Sequence, residues 1–77
     1  MPQQAPAIST EHLPEGTQIL KSRSISGHLV LVLALRPATE YQRYVTWIHN
    51  TQDGGFYGGH YFNTLPVARA DYEVRSW

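Results

Sequence analysis

A run of seven consecutive apolar residues, Leu29-Val-Leu-Val-Leu-Ala-Leu35, constrains the fold more than any other feature of the sequence. In an extended chain its leucines point to one side, and its valines and alanine point to the other. The run is far shorter than the roughly 20 apolar residues of a membrane-spanning helix. Pro37 and the β-branched valines favour a strand over a buried helix. We therefore predict a central strand that is covered on both faces.

Length and charge narrow the class of protein. A chain of 77 residues forms one domain at most. It contains no cysteine, which excludes a disulfide framework and a thiolate metal cluster, and we expect a cytoplasmic protein. Six basic and six acidic side chains cancel, so no general attraction to nucleic acid or to a membrane is expected. The N-terminal sequence lacks the basic start and apolar core of a signal peptide.

Residues 1–16 differ in composition from the rest of the chain. They contain Pro2, Pro6 and Pro14 and few large apolar side chains. Such a stretch buries too little surface to offset its ordering entropy. We predict a flexible arm over residues 1–16 and a single small α+β domain over residues 17–77.

The pattern of the remaining segments predicts the order ββββα. Residues 17–24 and 56–62 have strand-like composition, and residues 40–50 are rich in aromatic and β-branched side chains. After residue 62 the spacing becomes helical, with Pro66 in the first turn. We expect an antiparallel sheet of about four strands with one C-terminal helix on one face.

Two details of the helix follow from its spacing. One apolar stripe is expected to meet the sheet; it comprises Val67, Ala70, Val74 and Trp77, with Leu65, Ala68 and Tyr72 beside it. Arg69, Glu73 and Ser76 are expected to face water. One helix covers one face only, so either the arm or a second molecule must cover the other. We favour self-association, because a small domain has a marginal core.

The glycine-rich stretch 51–62 could hold a phosphate, hold a metal or form a hairpin. Its glycines lack the G-x-G-x-x-G spacing, and no Gly-Lys-Ser/Thr follows, so a phosphate loop is disfavoured. Asp53-Gly54 between strand-like segments predicts a two-residue hairpin turn. In that register Trp47 faces His60, and Gly58 and Gly59 leave room for large side chains opposite them.

The same register assigns the hairpin residues to two faces. The face expected to meet the helix carries Val45, Trp47, His49, Phe56, Gly58, His60 and Phe62. The other face carries Tyr44, Thr46, Ile48, Tyr57, Gly59 and Tyr61. A bulge at Gly58-Gly59 is the alternative, and it would shift the register by one and swap the faces beyond it.

The second face supplies the candidate partner-binding residues Tyr44, Ile48, Tyr57 and Tyr61, since tyrosine is enriched in protein interfaces. We predict a small protein-binding or regulatory module that acts through a sheet face or edge, with a protein partner and self-association. The alternative is a domain for single-stranded nucleic acid that combines these tyrosines with Lys21 and Arg23.

Catalysis and metal binding find little support. No Ser-His-Asp set, carboxylate pair or reactive cysteine stands out, so we predict that the protein is not an enzyme. His49 and His60 would be diagonal neighbours, but two imidazoles make a poor metal site. We therefore predict no cofactor and treat the two histidines as weak metal candidates only.

The segments Tyr44-Val-Thr-Trp47, Gly59-His-Tyr-Phe62 and Ala68-Arg-Ala-Asp-Tyr72 resemble a pattern in short uncharacterised bacterial proteins, some of them on mobile elements. The resemblance covers roughly residues 41–75. It implies a bacterial or phage origin, an intracellular setting and a hairpin followed by a helix. It implies no activity, and residues 1–40 fall outside it.

Overall fold

The computed structural model describes residue 13 and residues 15–75 of the chain. The elements in chain order are β1 (Gln18–Ser26), β2 (Leu29–Leu35), β3 (Tyr44–Asn50), β4 (Phe56–Phe62) and α1 (Leu65–Val74). The strands form one antiparallel sheet in the order β1-β2-β3-β4, and α1 packs on one face. The predicted ββββα arrangement is confirmed. No helix within the described residues is long and apolar enough to cross a membrane.

The two central strands form the most regular part of the sheet. They pair without interruption from Leu29 opposite Asn50 to Leu35 opposite Tyr44. Residues 30–34 of β2 are at most 2 % exposed. The apolar run is thus a central strand covered on both sides, as its composition predicts.

The loop between the central strands is longer than predicted, because β3 begins at Tyr44 and not at residue 40. Arg36 N–H donates to Arg43 O at 2.8 Å, and Thr39 N–H donates to Arg36 O at 3.1 Å. Gln42 has a φ of 50°, a left-handed conformation that does not fit a strand. These bonds and this dihedral angle turn the chain where its composition had suggested continued strand.

The helix meets the sheet through a different stripe from the predicted one. Ala68 and Tyr72 are buried, whereas Val67 is 54 % exposed and Val74 is 82 % exposed. Trp77, the last member of the predicted stripe, lies outside the described residues. The prediction that Val67 and Val74 face the sheet was wrong.

Hydrogen bonds to β3 explain why α1 is rotated relative to the predicted orientation. Asp71 and Arg75 lie on the same side as Ala68 and Tyr72, and both bond to Thr46 of β3. A rotation that buried Val74 would break these bonds, and apolar spacing alone does not reveal them.

The assignment of β3 to its faces also needs correction. Leu31 of β2 lies opposite Ile48, so the leucine side of β2 and the Ile48 side of β3 form one face. The helix covers this face, where Ile48 packs with Ala68 and Tyr72. The prediction that the Trp47 side meets the helix is wrong, because Trp47 points to the opposite face, which we call the far face.

The far face is already covered within a single chain. Its residues are at most 7 % exposed; they are Val30, Val32, Ala34, Val45 and Trp47. Leu13, Ile19 and Phe56 pack against them. The face therefore needs no second subunit to bury it, which removes the reason for which self-association was expected.

The predicted arm, residues 1–16, lies outside the described residues except for residues 13, 15 and 16. Leu13 packs on the far face. A side chain from the segment predicted to be loose therefore contributes to the core.

Candidate functional site at the edge strand β4

The exposed edge formed by β4 carries two of the four predicted partner-binding residues. Tyr57 is 51 % exposed and Tyr61 is 41 % exposed. Both faces of the sheet are covered, so its edges are the parts left open for contact with another molecule. We name the surface formed by residues 56–62 the β4 edge.

The conformation of β4 departs from the predicted hairpin. Thr46 lies opposite His60 and Ile48 lies opposite Tyr57, which leaves Trp47 facing both Gly58 and Gly59. Gly58 has a φ of 61°. The paired glycines therefore form a β-bulge, and the alternative register is the observed one. The predicted pairing of Trp47 with His60 was wrong.

The hairpin loop is also wider than the predicted two-residue turn. Gly54 N–H donates to Asn50 O at 2.8 Å, and Asn50 N–H donates to Gly55 O at 3.0 Å. Asn50 Oδ1 accepts a bond from Gln52 N–H at 2.8 Å. Asparagine side chains stabilise turns in this way, and the backbone bonds place residues 51–54 in the loop.

Each exposed tyrosine of β4 lies over a glycine two residues earlier. A Cβ added to Gly59 would lie 2.6 Å from Tyr61 Oη, and one added to Gly55 would collide with the Tyr57 ring. Residues i and i+2 of a strand point to the same side, so the absence of a side chain at each glycine leaves space for the tyrosine ring. The glycines serve tyrosines on their own strand, and not side chains on the partner strand as predicted. The motif Gly-x-Tyr, which occurs at residues 55–57 and again at residues 59–61, is the sequence signal for this arrangement.

Tyr57 is held at the hairpin end by Asp53. Its hydroxyl donates to Asp53 Oδ2 at 2.7 Å, and Gly55 N–H donates to Asp53 Oδ1 at 2.7 Å. The bond from Tyr57 is the main reason that the pKa of Asp53 is lowered from 3.8, with the Gly55 N–H second. The same bond raises the pKa of Tyr57 above 10.0. The tyrosine hydroxyl is therefore a neutral donor to a charged carboxylate at neutral pH.

Tyr61 is held by contacts on the far-face side. Trp47 Nε1–H donates to Tyr61 Oη at 3.4 Å, and the two rings meet edge to face with centroids 6.5 Å apart. The Arg36 guanidinium lies 4.7 Å from the centroid of the Tyr61 ring. Phe56 contacts Trp47 on the same face, with centroids 5.3 Å apart. Tyr61 is thus exposed but fixed in place.

On the helix side of β4 lies a polar cluster. Thr46 Oγ1–H donates to Asp71 Oδ2 at 2.6 Å, and His60 Nδ1 lies 3.1 Å from the same oxygen. Thr46 is fully buried, whereas the His60 side chain is 48 % exposed. Asp71 therefore joins a buried hydroxyl to a surface imidazole whose Nδ1 is oriented by the carboxylate.

Arg75 completes the cluster at the bulge. It is 7 % exposed, and its Nη1 donates to Thr46 O at 2.8 Å and to Thr46 Oγ1 at 2.9 Å. Its Nη2 donates to Gly58 O. The guanidinium thus satisfies carbonyl oxygens on both strands where the bulge interrupts their pairing. Burial lowers the pKa of Arg75, and the charge of Asp71 opposes that shift.

Asp71 lies in α1 and Arg75 directly follows it, in a segment for which the sequence predicts an apolar contact stripe, so neither residue was predicted as part of the site. Arg75 O accepts a bond from Arg23 Nη2 at 2.8 Å, which ties the end of α1 to β1 as well. The sequence did contain one indication of these hydrogen bonds, since Thr46 is a polar residue within an otherwise largely apolar strand.

The four predicted partner-binding residues do not share a surface. Ile48 is 5 % exposed and lies beneath the helix, and Tyr44 packs against the same core cluster. Tyr57 and Tyr61 are the exposed pair, on opposite sides of β4, because the bulge changes the alternation between them. The predicted single tyrosine face was wrong.

Lys21 and Arg23, the basic residues of the nucleic-acid alternative, lie on β1 at the opposite edge of the sheet. The Arg23 guanidinium stacks over the Tyr72 ring at 4.6 Å, and Lys21 Nζ lies 3.6 Å from Glu73 Oε2. Three strand spacings, roughly 14 Å, separate this edge from β4. The two cations contact the helix and do not flank the exposed tyrosines.

The two weak metal candidates lie on opposite faces. His49 stacks on Phe56 with ring centroids 4.3 Å apart, and its Nδ1–H donates to Gly55 O at 3.1 Å. His60 faces Asp71 on the helix side. The predicted diagonal pair was wrong, because the bulge moves His60 to the other side of β4. Within residues 13 and 15–75, no three His, Cys, Asp or Glu side chains converge on a metal position.

No family model matches the chain, and comparisons with curated proteins and with solved structures find no match. The resemblance to short bacterial proteins therefore stays a prediction.

Proposed function

We propose that this protein is a small non-enzymatic module that binds a protein partner through the β4 edge, in the cytoplasm. The observation that carries the proposal is that the rings of Tyr57 and Tyr61 are exposed to solvent and yet held in place by neighbouring groups. Each ring is about half exposed, lies on a glycine and is held by a second group, Asp53 or Arg36. Rigid aromatic anchors lose little conformational entropy on binding, which favours recognition.

The covered faces support the same choice of surface. The helix occupies one face, and the far-face residues are buried within the single chain. Of the two edges, β1 has its basic side chains engaged with α1, whereas β4 presents aromatic rings. Tyrosine is among the residues that dominate binding energy in protein interfaces.

A photoreactive phenylalanine analogue placed at Tyr57 or Tyr61 tests this proposal in an extract of the native cell. We expect a discrete protein adduct from both positions. The matched control is the same analogue at Val74, which is 82 % exposed on the outer side of α1. Adducts of equal yield from Val74, or none from β4, would contradict the proposal.

A second candidate function, binding of single-stranded nucleic acid, is favoured by one contact. The guanidinium of Arg36 lies on the ring of exposed Tyr61, which places a cation beside a stacking surface. Titration with single-stranded DNA and RNA at low salt tests it, with Arg36→Gln and Tyr61→Ala expected to weaken binding. Affinity should fall as salt rises, and a lack of binding at low salt excludes this function.

A further inference from the structure

We infer that the partner of the β4 edge is a second copy of this chain, whose β4 lies antiparallel to the first across a two-fold axis. The inference rests on the proposed function, since it names the occupant of the same edge. Three features of the described residues support it: the order of side chains along β4, the bulge at its centre and the charges at its two ends.

The order of side chains along β4 is close to palindromic. Phe56-Tyr57-Gly58 is followed by Gly59-His60-Tyr61, so the strand reads aromatic, aromatic, glycine and then glycine, aromatic, aromatic. In an isologous contact, residue i of one copy meets residue j of the other, and j meets i. With the axis between the glycines, Phe56 lies opposite Tyr61 of the partner subunit.

The faces agree with this register. The observed pairs place Phe56 and Tyr61 on the far-face side of β4, because they lie opposite His49 and Val45. Directly opposed residues of antiparallel strands point to the same side. The proposed pairing therefore joins two far-face aromatic rings, and it occurs twice in a two-fold dimer.

The helix side gives the same result. Tyr57 and His60 both lie on this side, opposite Ile48 and Thr46. In the proposed register Tyr57 meets His60 of the partner subunit. Without the bulge, one of these positions would lie on the other side, and the register would place residues of opposite faces together.

The bulge also favours a second copy over a regular strand from another protein. A bulge bends its strand and protects an edge from pairing with a straight strand. A two-fold axis perpendicular to the sheet leaves the direction of such a bend unchanged. The second β4 therefore bends toward the same face at the same point, and the glycines carry no side chains to obstruct the approach.

The charges at the two ends of β4 are opposite in sign. The hairpin end carries Asp53, whose carboxylate is negatively charged at neutral pH, as an aspartate ordinarily is. The other end carries Arg36 and the N-terminus of α1, where Thr64 makes no side-chain capping bond. Antiparallel pairing brings the acidic end of each copy toward the basic end of the other.

The size of the contact sets the expected affinity. Two seven-residue edges bury less than the roughly 1,200 Å² of a standard interface. We therefore expect a reversible dimer that assembles at micromolar or higher concentration.

Sedimentation equilibrium over a range of concentrations should show a monomer–dimer equilibrium. Tyr57→Ala should weaken association at least about tenfold, whereas Tyr41→Ala, in the loop, should not.

Disulfide trapping tests the register, and the chain suits it because the sequence contains no cysteine. Opposed residues lie about 4.5–5.5 Å apart between Cα atoms, within the range of a disulfide. Tyr57→Cys mixed with His60→Cys should cross-link at least about ten times faster than Tyr57→Cys mixed with Glu73→Cys, since Glu73 lies against Lys21 of β1 at the opposite edge of the sheet. Phe56→Cys mixed with Tyr61→Cys is the second pair, in case substitution at His60 disturbs folding.

The outcomes separate this inference from the proposed function. A protein that stays monomeric to about millimolar concentration, or cross-links no faster than the control, overturns the inference. If the photoreactive group at Tyr61 then captures a different protein, the proposed function stands. If it captures only a second copy of the chain, both stand, and if it captures nothing from a monomeric protein, both fail.

Discussion

Strands β2 and β3 pair residue for residue over seven positions, whereas both edge strands are interrupted. In the central pair the side chains are buried on both faces. At the edges the bulges fall at Leu20, at Ile25 and at the glycines of β4. The centre of the sheet thus supplies apolar burial, while its edges supply bends, exposed rings and polar groups.

Among the described residues, hydrogen bonds connect the centre of the sheet to its β4 edge through the helix. Thr46 belongs to the regular centre, yet it bonds to Asp71 and accepts from Arg75, which also bonds to Gly58 at the edge. The bulge leaves backbone oxygen atoms that need donors, and the helix provides them. The irregular β4 edge is thus bonded to the helix, whereas the centre of the sheet is held by apolar packing.

The largest effect is expected at the centre. Leu31→Ala should lower the free energy of unfolding by about 2–5 kcal/mol, because Leu31 is 0 % exposed and its removal leaves a cavity. The matched edge variant is Leu20→Ala, where Leu20 is 38 % exposed and the expected loss is below about 1 kcal/mol. Urea unfolding of both variants checks the difference. Equal losses would mean that the edge is as well packed as the centre.

A smaller effect is expected where the helix supports the edge. Arg75→Lys should cost about 1–3 kcal/mol, since a lysine ammonium cannot reproduce the paired bonds to Thr46 and Gly58. Arg69→Lys, on the exposed side of α1, is the control and should change stability by less than about 0.5 kcal/mol. Urea unfolding measures both. If Arg75→Lys behaved like the control, the guanidinium would not be what holds the bulge.

The regular centre of the sheet could be predicted from the sequence. The unbroken apolar run of residues 29–35 predicts a central strand, because burial on both sides leaves no position for polar residues. Pro66 correctly marks the first turn of α1, since it needs no backbone donor there. These features follow from local periodicity and backbone chemistry, which can be read from one chain.

The bulge of β4 and the rotation of α1 could not be predicted from periodicity, because they involve contacts between residues distant in the sequence. The bulge at Gly58-Gly59 is bonded to Arg75, seventeen positions away, and it separates His60 from the side of Trp47 and Tyr61 from the side of Tyr57. The rotation of α1 likewise depends on the bonds of Asp71, whereas the predicted stripe weighed apolar residues alone. The Gly-x-Tyr repeat was a local signal that could have indicated which tyrosines are fixed.

Substitution of the glycine at the bulge should cost more stability than substitution of a turn glycine with a similar backbone conformation. Gly58→Ala should cost about 1–2 kcal/mol from its φ of 61°, and more because the new Cβ would lie 2.9 Å from Arg75 Nη2. Gly27→Ala is the matched control, since Gly27 has a φ of 49° and open space around it. Urea unfolding should show a larger loss for Gly58→Ala. The excess should vanish when both glycine variants carry Arg75→Lys, and its persistence would exclude the collision as its cause.

The smallest effect is expected at the exposed hairpin end, where Asp53 holds Tyr57. The pKa of Asp53 is lowered from 3.8 in the folded state, so its contribution to stability is present above pH 3.8. It is lost as the pH falls through the lowered folded value, because the protonated carboxyl no longer accepts the bond as a charged group. An NMR titration of the Asp53 carboxyl and the Tyr57 ring should show both changing together.

Tyr57→Phe separates the two largest causes that lower the pKa of Asp53, the bonds from Tyr57 and from Gly55. It removes the larger cause and leaves the Gly55 N–H, so the pKa should move back toward 3.8 without reaching it. The core should not respond, since Leu31 lies in the central strand and the titrating groups lie at the solvent-exposed hairpin end. A core methyl signal of Leu31 that titrated with Asp53 would show that the edge and the centre are coupled in a way that their packing does not predict.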